Sequence, residues 1–326
     1  MTVTPDPIMQ LLSGVLAAKY LMVGTETGLF EQLSAEPATL EQLAERLAMP
    51  QRTVRMLADA LTAIQLLVCH DGHYSNSPVS AAFLSGHPGP DLRPVVRLWN
   101  NVVYPQWLDL ERSLRTNSST LGFADFDHEQ QLAFSIGVEA LTIPSARALA
   151  TIYDWSKHER LLDLGGGTGS FIRTITSHFP DLCGTMYELP ATIEVVRERQ
   201  ATQPVQFELL AGNFLSDELP EGFDAVLLAN VVHLFSLEHN GALFRRIRQV
   251  VPDHGRLLLV DFWTDPTHTQ PAFAALMAAE FQIVTGEGDV YSVPEMKALL
   301  AGSGWNLVGH HHLAGAASLI VAEPAL

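Results

Sequence analysis

The chain has 326 residues, enough for two domains with separate cores, since domains usually run to about 100–200 residues. An apolar share of 47% against 17% charged residues is an ordinary globular balance that excludes extended disorder. With 36 acidic and 19 basic residues the net charge is −17, which repels phosphate backbones and anionic lipid and argues against a nucleic-acid or membrane partner. Cys69 and Cys183 stand singly in apolar sequence, so they read as buried free thiols of a reducing compartment, neither a disulfide nor a zinc site. Met1-Thr-Val-Thr-Pro5 has no basic stretch leading into an apolar core, and no uncharged apolar run reaches the roughly 18 residues of a membrane span. A cytoplasmic location is expected.

In chain order, residues 8–33 carry Leu12, Val15 and Leu16 at helical spacing, followed by a turn at Gly24 and Gly28. Thr39 with Gln42 is a capping-box signature opening a short helix with Leu40, Leu43 and Leu47 on its buried face. Pro50 starts another, with Val54, Leu57, Leu61 and Ile64. Leu66-Leu67-Val68, Asp71-Gly72 and Tyr74 then predict two short strands around a hairpin turn. Two helices and a hairpin make a winged-helix pattern, which in DNA-binding proteins places its second helix in a major groove. Here residues 1–100 hold six basic against nine acidic residues, and the second helix offers only Arg52 and Arg55 beside Asp59, so the electrostatic footprint for DNA is missing. Residues 91–153 predict helices rich in aromatics: Trp99, Tyr104, Trp107, Phe123, Phe126 and Phe134. Such stripes usually pack a core; Phe126 and Phe134 are the candidates for lining an apolar substrate pocket. Asn117–Thr120 predicts a loop.

The run Leu161-Leu-Asp-Leu164 ends in glycines at 165, 167 and 169, the pattern of a strand entering a ligand-cradling turn. A dinucleotide fingerprint would need a further glycine at position 170, where Ser170 stands, so NAD and FAD are disfavoured. Ile172, Ile175 and Phe179 continue as a helix. Glu188 ends the next strand, where a carboxylate can accept ribose hydroxyl protons. Strands near 161–164, 184–188, 205–210, 224–229 and 256–262, separated by helical stretches, predict a doubly wound parallel sheet, with 306–313 and 317–322 as an antiparallel pair.

On Asp163–Gly169, on Glu188 in Tyr187-Glu-Leu-Pro190 and on His233 in Asn230-Val-Val-His233, nearly the whole chain resembles the class I S-adenosylmethionine-dependent methyltransferases. Within them it is similar to the small-molecule O-methyltransferases with an N-terminal winged-helix dimerisation domain. The resemblance implies an α/β fold: a doubly wound, mainly parallel seven-stranded Rossmann-like sheet behind a mostly helical winged-helix dimerisation domain. It implies a dimerisation domain over 1–110, connecting helices over 111–155 that contribute to the substrate pocket, and a cofactor-binding catalytic domain over 156–326. It further implies a homodimer and S-adenosylmethionine as cofactor, leaving as S-adenosylhomocysteine. Asp163, Gly165, Gly167, Gly169, Glu188, Asn213, Phe214 and Asn230 are then the cofactor-binding candidates, and His233 with Asp261 the catalytic ones. The chain departs from the family at three places. Asn213-Phe214 stands for an acid-hydrophobic pair, and Leu234-Phe235 follows the histidine in place of Asp-Trp. Asp289 and Val290 stand where the family often has a second carboxylate orienting the histidine.

His233 lies just past the fourth strand, ahead of a helix whose N-cap candidate is Ser236. A histidine with a pKa near 6.5 suits removal of a phenolic proton during methyl transfer. Asp261, ending the fifth strand, reads either as the acid that fixes the tautomer or as a cap of the following turn. Trp263, Phe273, Met277 and Phe281 are candidates to cover a small-molecule acceptor or to pack the core. His310-His311-His312 places His310 and His312 on one strand face, with no third ligand nearby, so no metal is expected. The leading expectation is O-methylation of a small aromatic or polyketide-like natural product of secondary metabolism. The alternatives are carbon or nitrogen methylation, cofactor-assisted chemistry without methyl transfer, and a ligand-sensing winged-helix regulator.

Overall fold

The computed structural model describes residues 3–119, 126–199 and 206–325; Phe123 and Thr120 lie outside them. The chain divides into two compact units, Met1–Pro105 with Asp127–Leu141, and Gln106–Phe126 with Thr142–Leu326. The helices expected over 111–155 as one connecting block are thus shared between the units, with Phe134 in the first and Phe126 in the second.

The first unit begins with α1 (Asp6–Glu26), α2 (Leu29–Gln32), β1 (Ala38–Thr39), α3 (Leu40–Arg46), α4 (Gln51–Ala63), β2 (Leu67–His70), β3 (His73–Asn76), α5 (Pro78–Phe83) and α6 (Arg93–Leu98). Thr39 caps α3 through the reciprocal box with Gln42. Asp71 and Gly72 both take positive φ, the backbone of a tight two-residue hairpin turn, and β3 pairs antiparallel with β2 and β1. Leu29, Phe30, Leu43, Val54 and Leu61 are wholly buried beneath this winged helix. α1 behaves differently: Leu11, Leu12, Val15 and Leu16 are 78%, 60%, 55% and 65% exposed. By length and composition α1 and Glu129–Ile152 could each cross a membrane, although Lys19 interrupts the first and Glu139 and Arg147 the second. A π-helical turn over Trp99–Val103 leads into α7 (Tyr104–Trp107), α8 (Leu110–Thr116) and α9 (His128–Ile152).

The second unit is built on β4 (Arg160–Leu164), α10 (Ser170–His178), β5 (Cys183–Glu188), α11 (Pro190–Arg199), β6 (Glu208–Ala211), β7 (Ala225–Ala229), α12 (Leu237–Val250), β8 (Arg256–Phe262), α13 (Ala272–Thr285), α14 (Val293–Ala301), β9 (Trp305–His312) and β10 (Ala317–Pro324). They form a seven-stranded sheet in the order β6-β5-β4-β7-β8-β10-β9, parallel from β6 to β8. β10 runs antiparallel to both β8 and β9. The strands are apolar on both faces because both are covered. Leu162, Leu164, Val226, Leu228, Leu257 and Leu259 pack in one cluster, while the alternate residues Leu161, Ala225, Leu227, Leu258 and Val260 pack in the other. Strand order reverses between β4 and β7, and the crevice beyond their carboxyl ends is where open sheets of this kind bind ligands.

Two expectations need correction here. Cys69 and Cys183 are exposed, not buried. Cys69 sits on the wing hairpin, where β2 is buried only at Leu67, and Cys183 is the first residue of β5, ahead of the stretch that the sheet covers. The third parallel strand also starts at Glu208, later than the apolar run suggested. At the antiparallel edge His310 Nε2 hydrogen-bonds Ser318 Oγ at 2.7 Å, and burial lowers its pKa.

Candidate active site

β4 delivers the chain into the turn at Gly165, Gly167 and Gly169, whose φ angles are +73°, +57° and +78°. At Gly167 the backbone itself demands glycine: a Cβ would meet nothing within 4 Å, so the constraint is the left-handed conformation and the space beside it stays open. At Gly165 a Cβ would come within 2.9 Å of Val231 Cγ2 and 3.3 Å of Phe214, which wall the same turn. Glu188, ending β5, accepts hydrogen bonds from the Gly167 N–H at 3.2 Å and the Leu189 N–H at 2.7 Å. Its carboxylate is thereby lashed to the turn yet remains partly exposed. Burial raises its pKa, and the two backbone donors oppose the rise.

Asn213 and Phe214 follow β6. The Asn213 side-chain oxygen accepts from Leu215 N–H at 3.0 Å, and the Phe214 ring stands edge-on to Phe235, 6.3 Å between centroids. Asn230 closes β7 at φ +58°, donating its N–H to Val260 at 2.8 Å. An open glycine turn, a partly exposed carboxylate on the neighbouring strand and an aromatic face across from them fit an adenosyl group. Asp163 lies beneath this cradle. Its carboxyl is wholly buried behind Gly166, where a Cβ would lie 2.7 Å from Asp163 Oδ2, so its place is under the turn. Burial, reinforced by the Glu188 charge, pushes its pKa up to about 7.

On the other side of the crevice, a short 3-10 turn, Val232–Leu234, presents His233. Asp261 at the end of β8 receives three hydrogen bonds: from the His233 backbone N–H at 3.2 Å, from the Phe262 N–H at 2.8 Å, and at 2.6 Å from His233 Nδ1. A carboxylate so placed can only accept, so Nδ1 carries a ring proton and, in the neutral ring, Nε2 has the lone pair. Nε2 has no partner among the described residues. Asn240, fully buried, anchors the turn by donating to the carbonyls of Val232 and Phe235, both at 2.9 Å. The Phe281 ring lies on the imidazole, 3.6 Å between centroids and 15° from parallel, with Phe262 stacked at 6.1 Å and Phe273 edge-on to Phe262. Gly288 is required for steric reasons: a Cβ there would lie 2.5 Å from the His233 carbonyl oxygen.

Of the residues expected to line an acceptor pocket, Phe273 and Met277 lie on the α13 face that carries Phe281, and both stay partly exposed. Trp263 does not line it; it is 4% exposed in the core, its indole N–H bonded to the Ser318 carbonyl, because it leaves β8 on the face opposite Phe262. Phe126 is buried in the second unit, and Phe134 belongs to the first. Phe262, Asn240, Gly288 and Glu280 were not singled out in the sequence. Only Glu280 left a signal there, a lone acid in the apolar stretch Ala272–Val284.

The chain matches the family model of the O-methyltransferase domain over residues 116–306 and that of the O-methyltransferase dimerisation domain over residues 9–86. It is 31% identical to a 3-hydroxy-5-methyl-1-naphthoate 3-O-methyltransferase of Streptomyces sahachiroi over 291 residues, 86% of this chain and 84% of the relative. It is 28% identical to an N,N-dimethyltransferase of Streptomyces rimosus, covering 92% and 90% of the two chains. Among solved structures it is similar to that of PigF with S-adenosylhomocysteine, with a TM-score of 0.88 at 25% identity over 98% of this chain and 100% of the other.

The buried Asp163 carboxyl makes stability depend on pH in a defined direction. Its ordinary value of 3.8 applies to the unfolded chain and about 7 to the fold, so between these values the folded state holds a proton that the unfolded state has released. Stability therefore falls as pH rises through that window and levels off above it. In the ligand-free protein Asp163→Asn is expected to gain stability relative to the wild type across that window, as followed by urea unfolding. A difference that stays constant with pH would mean that the carboxyl titrates alike in both states.

Proposed function

The chain belongs to the O-methyltransferase family with an N-terminal dimerisation domain, a family of S-adenosylmethionine-dependent methyltransferases, and we propose that its acceptor is a hydroxyl on a small aromatic or polyketide-like natural product. The observation that carries this reading is the Asp261–His233 pair, 2.6 Å apart, with Nε2 left as a base beside an aromatic wall. The naphthoate named for the Streptomyces sahachiroi relative is an acceptor of the same flat, hydroxylated kind.

S-adenosylmethionine supplies an electrophilic methyl on a sulfonium and leaves as S-adenosylhomocysteine. In the proposed arrangement Glu188 accepts the ribose hydroxyl protons, the turn Gly165–Gly169 gives its backbone close approach, and Phe214, Asn213 and Asn230 border the nucleoside. Holding the two reactants in line can supply on the order of 7–11 kcal/mol of the barrier. His233 Nε2 takes the acceptor's hydroxyl proton as the new bond to carbon forms, and Asp261 stabilises the resulting imidazolium through Nδ1. Phe281 holds the imidazole plane, and with Phe262, Phe273 and Met277 it offers an apolar surface for a flat ring. Nitrogen methylation is the second reading, favoured by the Streptomyces rimosus relative and by Leu234-Phe235 after the histidine. The protein would work as a cytoplasmic homodimer, with the exposed apolar side of α1 meeting a second copy.

Three outcomes are expected. Glu188→Ala should weaken S-adenosylmethionine binding by roughly 1.5–3 kcal/mol in calorimetry, the worth of hydrogen bonds to a charged group; unchanged affinity would remove the ribose assignment. His233→Ala should lower turnover of a phenolic acceptor by roughly 10²–10⁴ with cofactor affinity retained, and the mutant rate should recover as pH rises towards the phenol pKa of about 10. Wild-type turnover in that variant would favour the nitrogen reading. Sedimentation at micromolar concentration should give a dimer that Leu12→Glu with Leu16→Glu dissociates, and a wild-type monomer would refute the dimer.

A further inference from the structure

One carboxylate near this site has no part in the chemistry just described. Glu280 lies on α13, on the same helical stripe as Phe273, Met277, Phe281 and Val284, spaced as neighbours on one helix face are. That face stacks on His233 through Phe281 and meets Phe262 through Phe273. Glu280 is the single charge in this face, and it is only 8% exposed. One of its oxygens, Oε2, accepts the indole N–H of Trp107. The other, Oε1, has no partner among the described residues. Burial raises its pKa, and the Trp107 bond opposes the rise.

A buried acid in an apolar helix face costs stability unless something answers it, and an indole N–H satisfies only one of its two oxygens. Apolar binding sites use a few fixed polar groups to set the orientation of an otherwise slippery flat ligand. Leucine or methionine at this position would continue the wall, and Trp107 holds the carboxylate fixed within it. Phe281, the next residue of the helix, stacks on the imidazole and so puts Glu280 on the face that meets the base, without making it the base's partner, since Asp261 already holds Nδ1.

We propose that Glu280, held by Trp107, is a specificity-determining residue whose free oxygen accepts a hydrogen bond from a second donor on the acceptor, a hydroxyl or N–H on the same flat ring system as the group methylated. The proposal rests on the aromatic-acceptor reading above and narrows it to aromatics bearing at least two donors. A ring with one hydroxyl alone would leave Oε1 buried and unanswered, which is the physical basis of the discrimination.

The test uses the full-length protein loaded with S-adenosylhomocysteine and pairs of phenols, naphthols and hydroxyanthracenes with their dihydroxy counterparts, with affinity read by calorimetry so that it does not depend on turnover. The wild type should prefer the dihydroxy member of at least one pair by about 10- to 100-fold, the range for a hydrogen bond to a charged group. In Glu280→Leu that preference should fall to about one. Glu280→Gln keeps the shape and adds an N–H donor, so it should lose the preference for the diol and gain one for the matching hydroxyquinone. This variant carries the test if the leucine variant does not unfold cooperatively near the wild-type midpoint. A diol preference that survives in Glu280→Gln, or a wild type with no such preference, overturns the proposal. Methyl transfer to the same compounds is scored separately: affinity that follows Glu280 while no compound is methylated overturns the aromatic-acceptor reading and leaves the Glu280 contact standing.

Discussion

The pairing of β7 with β8 is the constraint on which the rest of the site depends. Ala229 is in register with Val260, and this alignment brings the chain just beyond β7 beside the last residues of β8. His233 and Asp261, 28 residues apart, then meet at 2.6 Å, although the whole of α12 lies between them in the chain. The registry is in turn enforced by burial on both faces, because a slip of one residue would turn Leu227 and Leu258 from one core to the other and break both clusters.

The two halves of the crevice are built from different materials. The side at β4 and β5 is backbone: three left-handed glycines and a carboxylate tied to two N–H groups, a rigid surface suited to a ligand that does not vary. The side at β8 and α13 is made of side chains, with Phe262, Phe273, Met277 and Phe281 around the imidazole. Such a wall can change shape by substitution without disturbing the sheet. Relatives named for oxygen and for nitrogen methylation are both similar to this chain over most of its length.

The charge around His233 is also arranged in two tiers. Asp261 is 1% exposed and saturated by three donors, so it is held in one position and fixes the tautomer. In the segment between α13 and α14, Val290 packs in the small cluster of Ala274 and Phe281, and Asp289 contributes its backbone N–H to the His233 carbonyl. A further acid, Glu280, stands on α13, the helix whose Phe281 stacks on the imidazole and whose surroundings are otherwise apolar.

Much of this was readable along the chain. Local chemistry gave the Thr39–Gln42 box, the Asp71-Gly72 turn, the Ser236 cap and the glycine turn, since each is decided within a few residues. Period and spacing gave the strand and helix sequence and the candidate Glu188, whereas His233 came from the resemblance to the methyltransferase family. Side-chain direction at strand ends was not readable. Trp263 and Phe262 are adjacent, and only the sheet decides that one enters the core and the other faces the imidazole. Exposure of Cys69 and Cys183 followed from the limits of the covered faces, not from their apolar neighbours. Asp163 belongs to the glycine motif in sequence but sits beneath the turn in space, because a strand's alternate residues point to opposite sides. Gly288 and Glu280 lie 55 and 47 residues from His233, and contacts at such separations exist only once the sheet and α13 have brought the segments together, whereas Asn240 reaches the turn from the start of α12.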